Sequence, residues 1–80
     1  MNKIMVNSTT LVSIAYDEIS EILQLQFCSG SIYQYFGVPT AVQEALLNAA
    51  SKGSYFNKAI RGRFLFALAA SAEARRAEGV

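Results

Sequence analysis

A chain of 80 residues, with 52% apolar and 16% charged side chains, predicts one domain around one shared core, because at this length only about 60–65% of the unfolded surface can be buried. The balance excludes a disordered chain, and a net charge of +1 excludes a uniformly basic nucleic-acid binder. One cysteine and no histidine exclude an internal disulfide, a Cys/His zinc site and the usual Ser/His or Cys/His nucleophile pairs.

Met1 to Thr9 is polar and lacks periodicity, so residues 1–9 are expected to be a loose lead-in that touches a sheet edge at Ile4 to Val6. Leu11 to Tyr16 predicts a strand with Val12, Ile14 and Tyr16 on one face and Ser13 and Ala15 on the other. Asp17-Glu18-Ile19-Ser20 predicts a turn. Leu23, Leu25 and Phe27 then alternate with Gln24 and Gln26, a strand with one apolar face and one amide face.

Cys28-Ser29-Gly30-Ser31 reverses the chain into Ile32 to Phe36, and two turns fit. A two-residue Ser29-Gly30 turn sets Gln26 opposite Tyr33 and leaves Tyr33 and Tyr35 on the outer face. A three-residue Cys28-Ser29-Gly30 loop, with Gly30 left-handed in a bulge, sets Leu25 opposite Tyr33 and Leu23 opposite Tyr35 and turns both tyrosines to the core. The second is favoured, since Ser-Gly lacks the double positive-φ preference of Asn-Gly.

Pro39 suits the first position of a helix that runs to about Ala50 with Val42, Ala45, Leu46 and Ala49 as its apolar stripe. After Ser51-Lys52-Gly53 a shorter helix from about Ser54 to Arg61 places Phe56 and Ile60 inward, and Phe64 continues that stripe. Residues 65–80, rich in alanine, predict a helical extension. The fold class is therefore α+β: a three-stranded antiparallel meander, then two or three helices packed on one face.

The glycines lack the spacing of a dinucleotide or phosphate loop, and adjacent Asp17 and Glu18 diverge on a turn, so no acid and base pair forms. No enzyme, cofactor or small-molecule substrate is expected. The longest apolar run, Phe64 to Ala70, is far below the roughly 20 residues of a membrane helix, and no signal sequence opens the chain. A cytoplasmic location without a membrane partner is the expectation, and Cys28 reads as an incidental thiol.

Charge is unevenly spread. Lys52, Lys58, Arg61 and Arg63 fall in a stretch without acids between Glu44 and Glu73, whereas Asp17, Glu18 and Glu21 cluster near the early turn. One reading makes the basic stretch, with Tyr55 exposed for stacking and Asn57 beside it, a surface for RNA or DNA. Four phosphate contacts would give a salt slope of about −3 to −4 and weak, non-specific affinity. The competing reading has these cations simply facing water, with Arg61 or Arg63 paired to the acids. A partner of another class, a protein or a second copy, would use the helix that starts near Phe64 and the tyrosine-bearing sheet.

Together "YD" at Tyr16-Asp17, "LQLQF" ending at Phe27, "SG" at Ser29-Gly30, "YQYFGVP" from Tyr33, "ALL" from Ala45 and "SKGSYFNKAIRGRF" from Ser51 resemble the KTSC domain. That family occurs at the C-terminus of some lysyl-tRNA synthetases and as a small stand-alone bacterial protein. The resemblance covers about Ser8 to Phe64, so residues 10–64 form the expected domain. It implies that Tyr33 and Tyr35 are the family's Tyr-x-Tyr, and it hints at RNA only by association. Asn57 and Arg61 are the polar matches to test first, whereas Tyr33, Tyr35, Phe56 and Ile60 read as structural. Phe64 stands where the family often has tyrosine.

Overall fold

The computed structural model describes residues 2–70. They form an antiparallel sheet of five strands in chain order, β1 (Asn2–Met5), β2 (Leu11–Asp17), β3 (Ile22–Phe27), β4 (Ile32–Tyr35) and β5 (Phe66–Ala70). Between β4 and β5 lie two helices, α1 (Thr40–Asn48) and α2 (Lys52–Tyr55). The latter runs into a π-turn, Phe56–Ile60, closed by the Arg61 amide donating to the Phe56 carbonyl at 2.9 Å. The architecture is α+β as expected, but the sheet has five strands rather than three.

Both added strands correct the sequence reading. The lead-in joins a sheet edge at Ile4 to Val6 as expected, and the pairing with β2 starts earlier, at Asn2, so residues 2–5 are a strand rather than loose. Phe66–Ala70 is a strand, not the start of a helix; the remaining residues of the expected helical extension, 71–80, lie outside the described residues. Alanine and leucine favour helix only weakly, and a short isolated helix is marginal in water. Pairing with β4 instead satisfies backbone groups that would otherwise form an open edge. The expected helix from Ser54 to Arg61 is likewise replaced by α2 and its π-turn.

The β3–β4 hairpin adopts the three-residue loop. Leu23 lies opposite Tyr35 and Leu25 opposite Tyr33, while Gly30 has φ +102° and its amide donates to the Phe27 carbonyl at 2.9 Å. Two rows of side chains therefore cross the inner face. One is Ile14, Leu25, Tyr33 and Leu68; the other is Tyr16, Leu23, Tyr35 and Phe66. In β2 a bulge between Leu11 and Ser13 changes the expected alternation: Leu11 and Ile14 are both fully buried, and Val12 is only half-buried.

Helices α1 and α2 cover this inner face. Leu46 of α1 and Phe56 and Ile60 of the π-turn join Leu11, Ile14, Leu23, Leu25, Tyr35 and Val38 in the core. The outer face is polar, with Gln34 Nε2 donating to Gln24 Oε1 at 3.0 Å and the Ser13 hydroxyl to Gln26 Oε1 at 3.1 Å. The connection into α1 is fixed at Val38, whose amide donates to the Glu21 carbonyl at 3.0 Å and whose carbonyl accepts from the Tyr16 hydroxyl. No helix among the described residues is long and apolar enough to cross a membrane.

Helix α2 starts at Ser51, whose hydroxyl accepts from the Ser54 amide at 3.3 Å, and it seats its first turn against the segment before β2. A Cβ at the buried Gly53 would stand 2.3 Å from Thr10 Oγ1 and 3.0 Å from Thr10 Cβ. Gly53→Ala is therefore expected to lower stability by about 1–3 kcal/mol through overpacking, despite the gain of about 1 kcal/mol that alanine brings within a helix. Urea unfolding of a double-mutant cycle with Thr10→Gly checks the origin: the alanine should cost much less in the Thr10→Gly background, and an unchanged cost would locate the strain elsewhere.

Candidate functional site: an aromatic groove with Arg61 and Asn57

Beyond the edge of α2, the inner face of β3, β4 and β5 is left open, and a groove of about 610 Å³ runs there. Its floor and walls are Phe27, Tyr33, Tyr35, Phe56 and Phe66, and its rim carries Asn57, Arg61 and the hydroxyl side chains of Thr10, Ser29 and Ser31. The rings form a connected set. Phe56 meets Phe27 and Tyr35 edge to face at centroid distances of 5.2 and 5.7 Å, and Phe66 lies 5.8 Å from both Tyr33 and Tyr35. Such geometries hold aromatic side chains in place through their quadrupoles as well as by burial. Tyr35 is only 5% exposed, whereas Phe66 at the edge is 59% exposed.

The π-turn supplies the polar wall. It turns Phe56 and Ile60 inward and leaves Asn57 and Arg61 exposed on the rim, where Arg61 Nη1 donates to Asn57 Oδ1 at 3.5 Å. π-Turns within helices recur at functional sites. Next to it the chain passes Gly62 at φ +76° and enters β5. Arg63 Nε donates instead to the Lys58 carbonyl at 3.1 Å, and Arg63 faces a separate shallow depression with Phe64, Leu65 and Phe66.

The six candidate binding residues are thus distributed. Asn57 and Arg61 line the groove; Lys58 and Arg63 are exposed beside it. Lys52 is turned to α1, where its ammonium donates to the Ala49 carbonyl at 3.2 Å. Tyr55 is half-buried against the core and is not the exposed stacking residue expected from its place in the sequence. Of the early acids, Asp17 is engaged within its own turn, its Oδ1 accepting from the Ile19 amide at 3.1 Å. Hydrogen bonds from the Ser20 side chain and the Ile19 amide hold its carboxyl below the usual range. Phe27 and Phe66 are groove residues that the sequence did not single out. The two-residue spacing of Phe64, Phe66 and Leu68 was the available signal.

A sequence model of the KTSC domain matches residues 7–64. The chain belongs to the KTSC domain family. A crystal structure of a KTSC domain protein from Yersinia pestis superposes with a TM-score of 0.84 at 35% identity, over 86% of this chain and 97% of that one. A lysine–tRNA ligase of Nostoc punctiforme is 45% identical over 58 residues, which are 72% of this chain and 10% of the ligase. A protein of Stutzerimonas stutzeri is 39% identical over 61 residues, 76% of this chain and 86% of its own length. The chain therefore spans about a tenth of the ligase it matches. Within the KTSC match lie all the groove residues except Phe66.

Burial, and secondarily the neighbouring Tyr33, pushes the Tyr35 phenol above its ordinary value of 10.0, while Arg61 pulls it down. The neutral phenol is thus favoured in the folded chain. This contribution to stability is complete below the unfolded-state value near 10 and is lost as pH rises through the higher native value. A phenolate absorbance titration should show a late step that Tyr35→Phe abolishes and that Arg61→Ala moves to still higher pH. A downward or absent shift in Arg61→Ala would mean that the guanidinium does not face the phenol.

Proposed function

We propose that the domain is a non-enzymatic module that binds single-stranded RNA in the aromatic groove. The observation that carries this reading is the convergence of exposed Phe66 and half-buried Tyr33 with Arg61 and Asn57 on one open surface. Unpaired bases stack on aromatic side chains, at about 1–3 kcal/mol per base, and a guanidinium supplies either phosphate or base-edge contacts. RNA is preferred to DNA because of the kinship with lysine–tRNA ligases.

Of the four candidate cations, Lys52 is directed to α1, which leaves Lys58, Arg61 and Arg63 for phosphates. At about 0.7 per contact on a single strand, the salt slope is about −2, shallower than four cations would give. Fluorescence anisotropy with labelled RNA and DNA oligonucleotides at several salt concentrations is the test. Micromolar binding of RNA at low salt is expected, reduced about tenfold or more by Phe66→Ala. Absence of binding at low salt, or binding indifferent to both Phe66→Ala and Arg61→Ala, would sink the proposal.

A second reading, self-association, is favoured by β5 itself. Among the described residues β5 is an edge strand without charge, and Leu65, Phe66 and Leu68 are 82%, 59% and 53% exposed; edges of this kind invite strand addition. Light scattering should then give a dimer that Leu68→Lys converts to a monomer. A monomeric unmodified protein at high concentration removes this reading.

A further inference from the structure

The groove bears on which base is held as well as on whether RNA binds, and the inference below rests on the RNA-binding reading. Its charged and amide groups are one-sided. Arg61 brings guanidinium N–H donors and no acceptor. The Asn57 Oδ1 accepts from Arg61 Nη1, so this pair offers a ligand more donors than acceptors. Among the described residues no carboxylate lines the groove. The hydroxyls of Tyr33, Tyr35 and the rim can donate or accept, so they discriminate little.

A base that stacks on the rings therefore meets fixed donors along its edge. When the base turns its Hoogsteen edge to these groups, adenine sets an amino group beside N7 and cytosine presents only its amino group, so each leaves donor facing donor at the cost of an unmade hydrogen bond. Guanine presents O6 and N7 as adjacent acceptors, which match the two-pronged fork of a guanidinium; uracil presents a single carbonyl at the corresponding edge. Phosphates need not compete for Arg61, because Lys58 and Arg63 stand exposed next to it.

We infer that the groove selects guanine in a single strand, with the Arg61 guanidinium reading O6 and N7 and Asn57 holding that guanidinium in place while its own amide donates to the base. Arg61 is then a specificity residue, and its neighbours Lys58 and Arg63 supply affinity that does not depend on sequence.

The test uses the full chain and short labelled oligouridine probes that carry, at one central position, guanosine, inosine, 7-deazaguanosine, adenosine or uridine. Guanosine and inosine, which share O6 and N7, should bind alike and about tenfold or more tighter than adenosine, and the 7-deaza probe should lose most of that advantage. Arg61→Lys, which keeps the charge but not the fork, should lose the preference for guanosine, read as the ratio of guanosine to uridine affinities within that variant. Equal binding of all probes, or a preference that survives Arg61→Lys, overturns the inference while leaving RNA binding intact. Failure of every probe to bind at low salt overturns both. Circular dichroism of the variant confirms that a lost preference is not lost structure.

Discussion

The register of the β3–β4 hairpin is the constraint on which the rest of the molecule depends. Side chains alternate across a strand, so a slip of one residue would exchange the amide and apolar faces of β4 relative to β3. With Leu25 opposite Tyr33 and Leu23 opposite Tyr35, two tyrosines, two leucines and their partners from β2 form one continuous apolar surface. The helices have that surface to pack on, and β5 extends it with Phe66 and Leu68. A slipped hairpin would place the tyrosines among Gln24 and Gln26, and neither core nor groove would exist.

The helical layer is held to this sheet by small contacts at its two ends. Val38 is fixed through both its amide and its carbonyl before α1, and Gly53 lets α2 approach Thr10 more closely than any side chain would allow. These contacts fix where the π-turn emerges, and hence where Asn57 and Arg61 stand. The polar wall of the groove is therefore set by packing at a distance from it: the loop before β2 positions α2, and α2 positions the residues that face the rings.

Much of this was legible in the sequence. Alternation in Leu23 to Phe27, the lone late glycine at Gly30 and Pro39 before the apolar stripe of α1 specify the hairpin and the first helix by local rules. What could not be read was decided by partners distant in sequence. "FALAA" is a fair helix by propensity, yet it becomes β5 because β4 offers an unsatisfied edge; at β1 only the contact of Ile4 to Val6 with a sheet edge was legible, and β2 recruits Asn2 and Lys3 in the same way. At the site, Asn57 and Arg61 were identifiable from the resemblance to KTSC domains, but composition treated Lys52, Tyr55, Lys58, Arg61 and Arg63 as one patch. Only the fold separates them, because Lys52 turns back to α1 and Tyr55 packs down while Arg61 crosses to the rings.

The groove lies in the gap between the π-turn and the inner face of β3, β4 and β5. Residues 61–65 span that gap without covering it, and they contribute little to the core apart from Phe64. Fold and groove are consequently separable under mutation: an insertion in this short connection could roof the rings over, or a shortening could strip Arg61 from the rim, while the buried residues from Leu11 to Ile60 went undisturbed. Lineages that share the same scaffold are thus free to gain, retune or extinguish binding by changing a handful of positions, and identical architecture among relatives carries no guarantee of identical ligands.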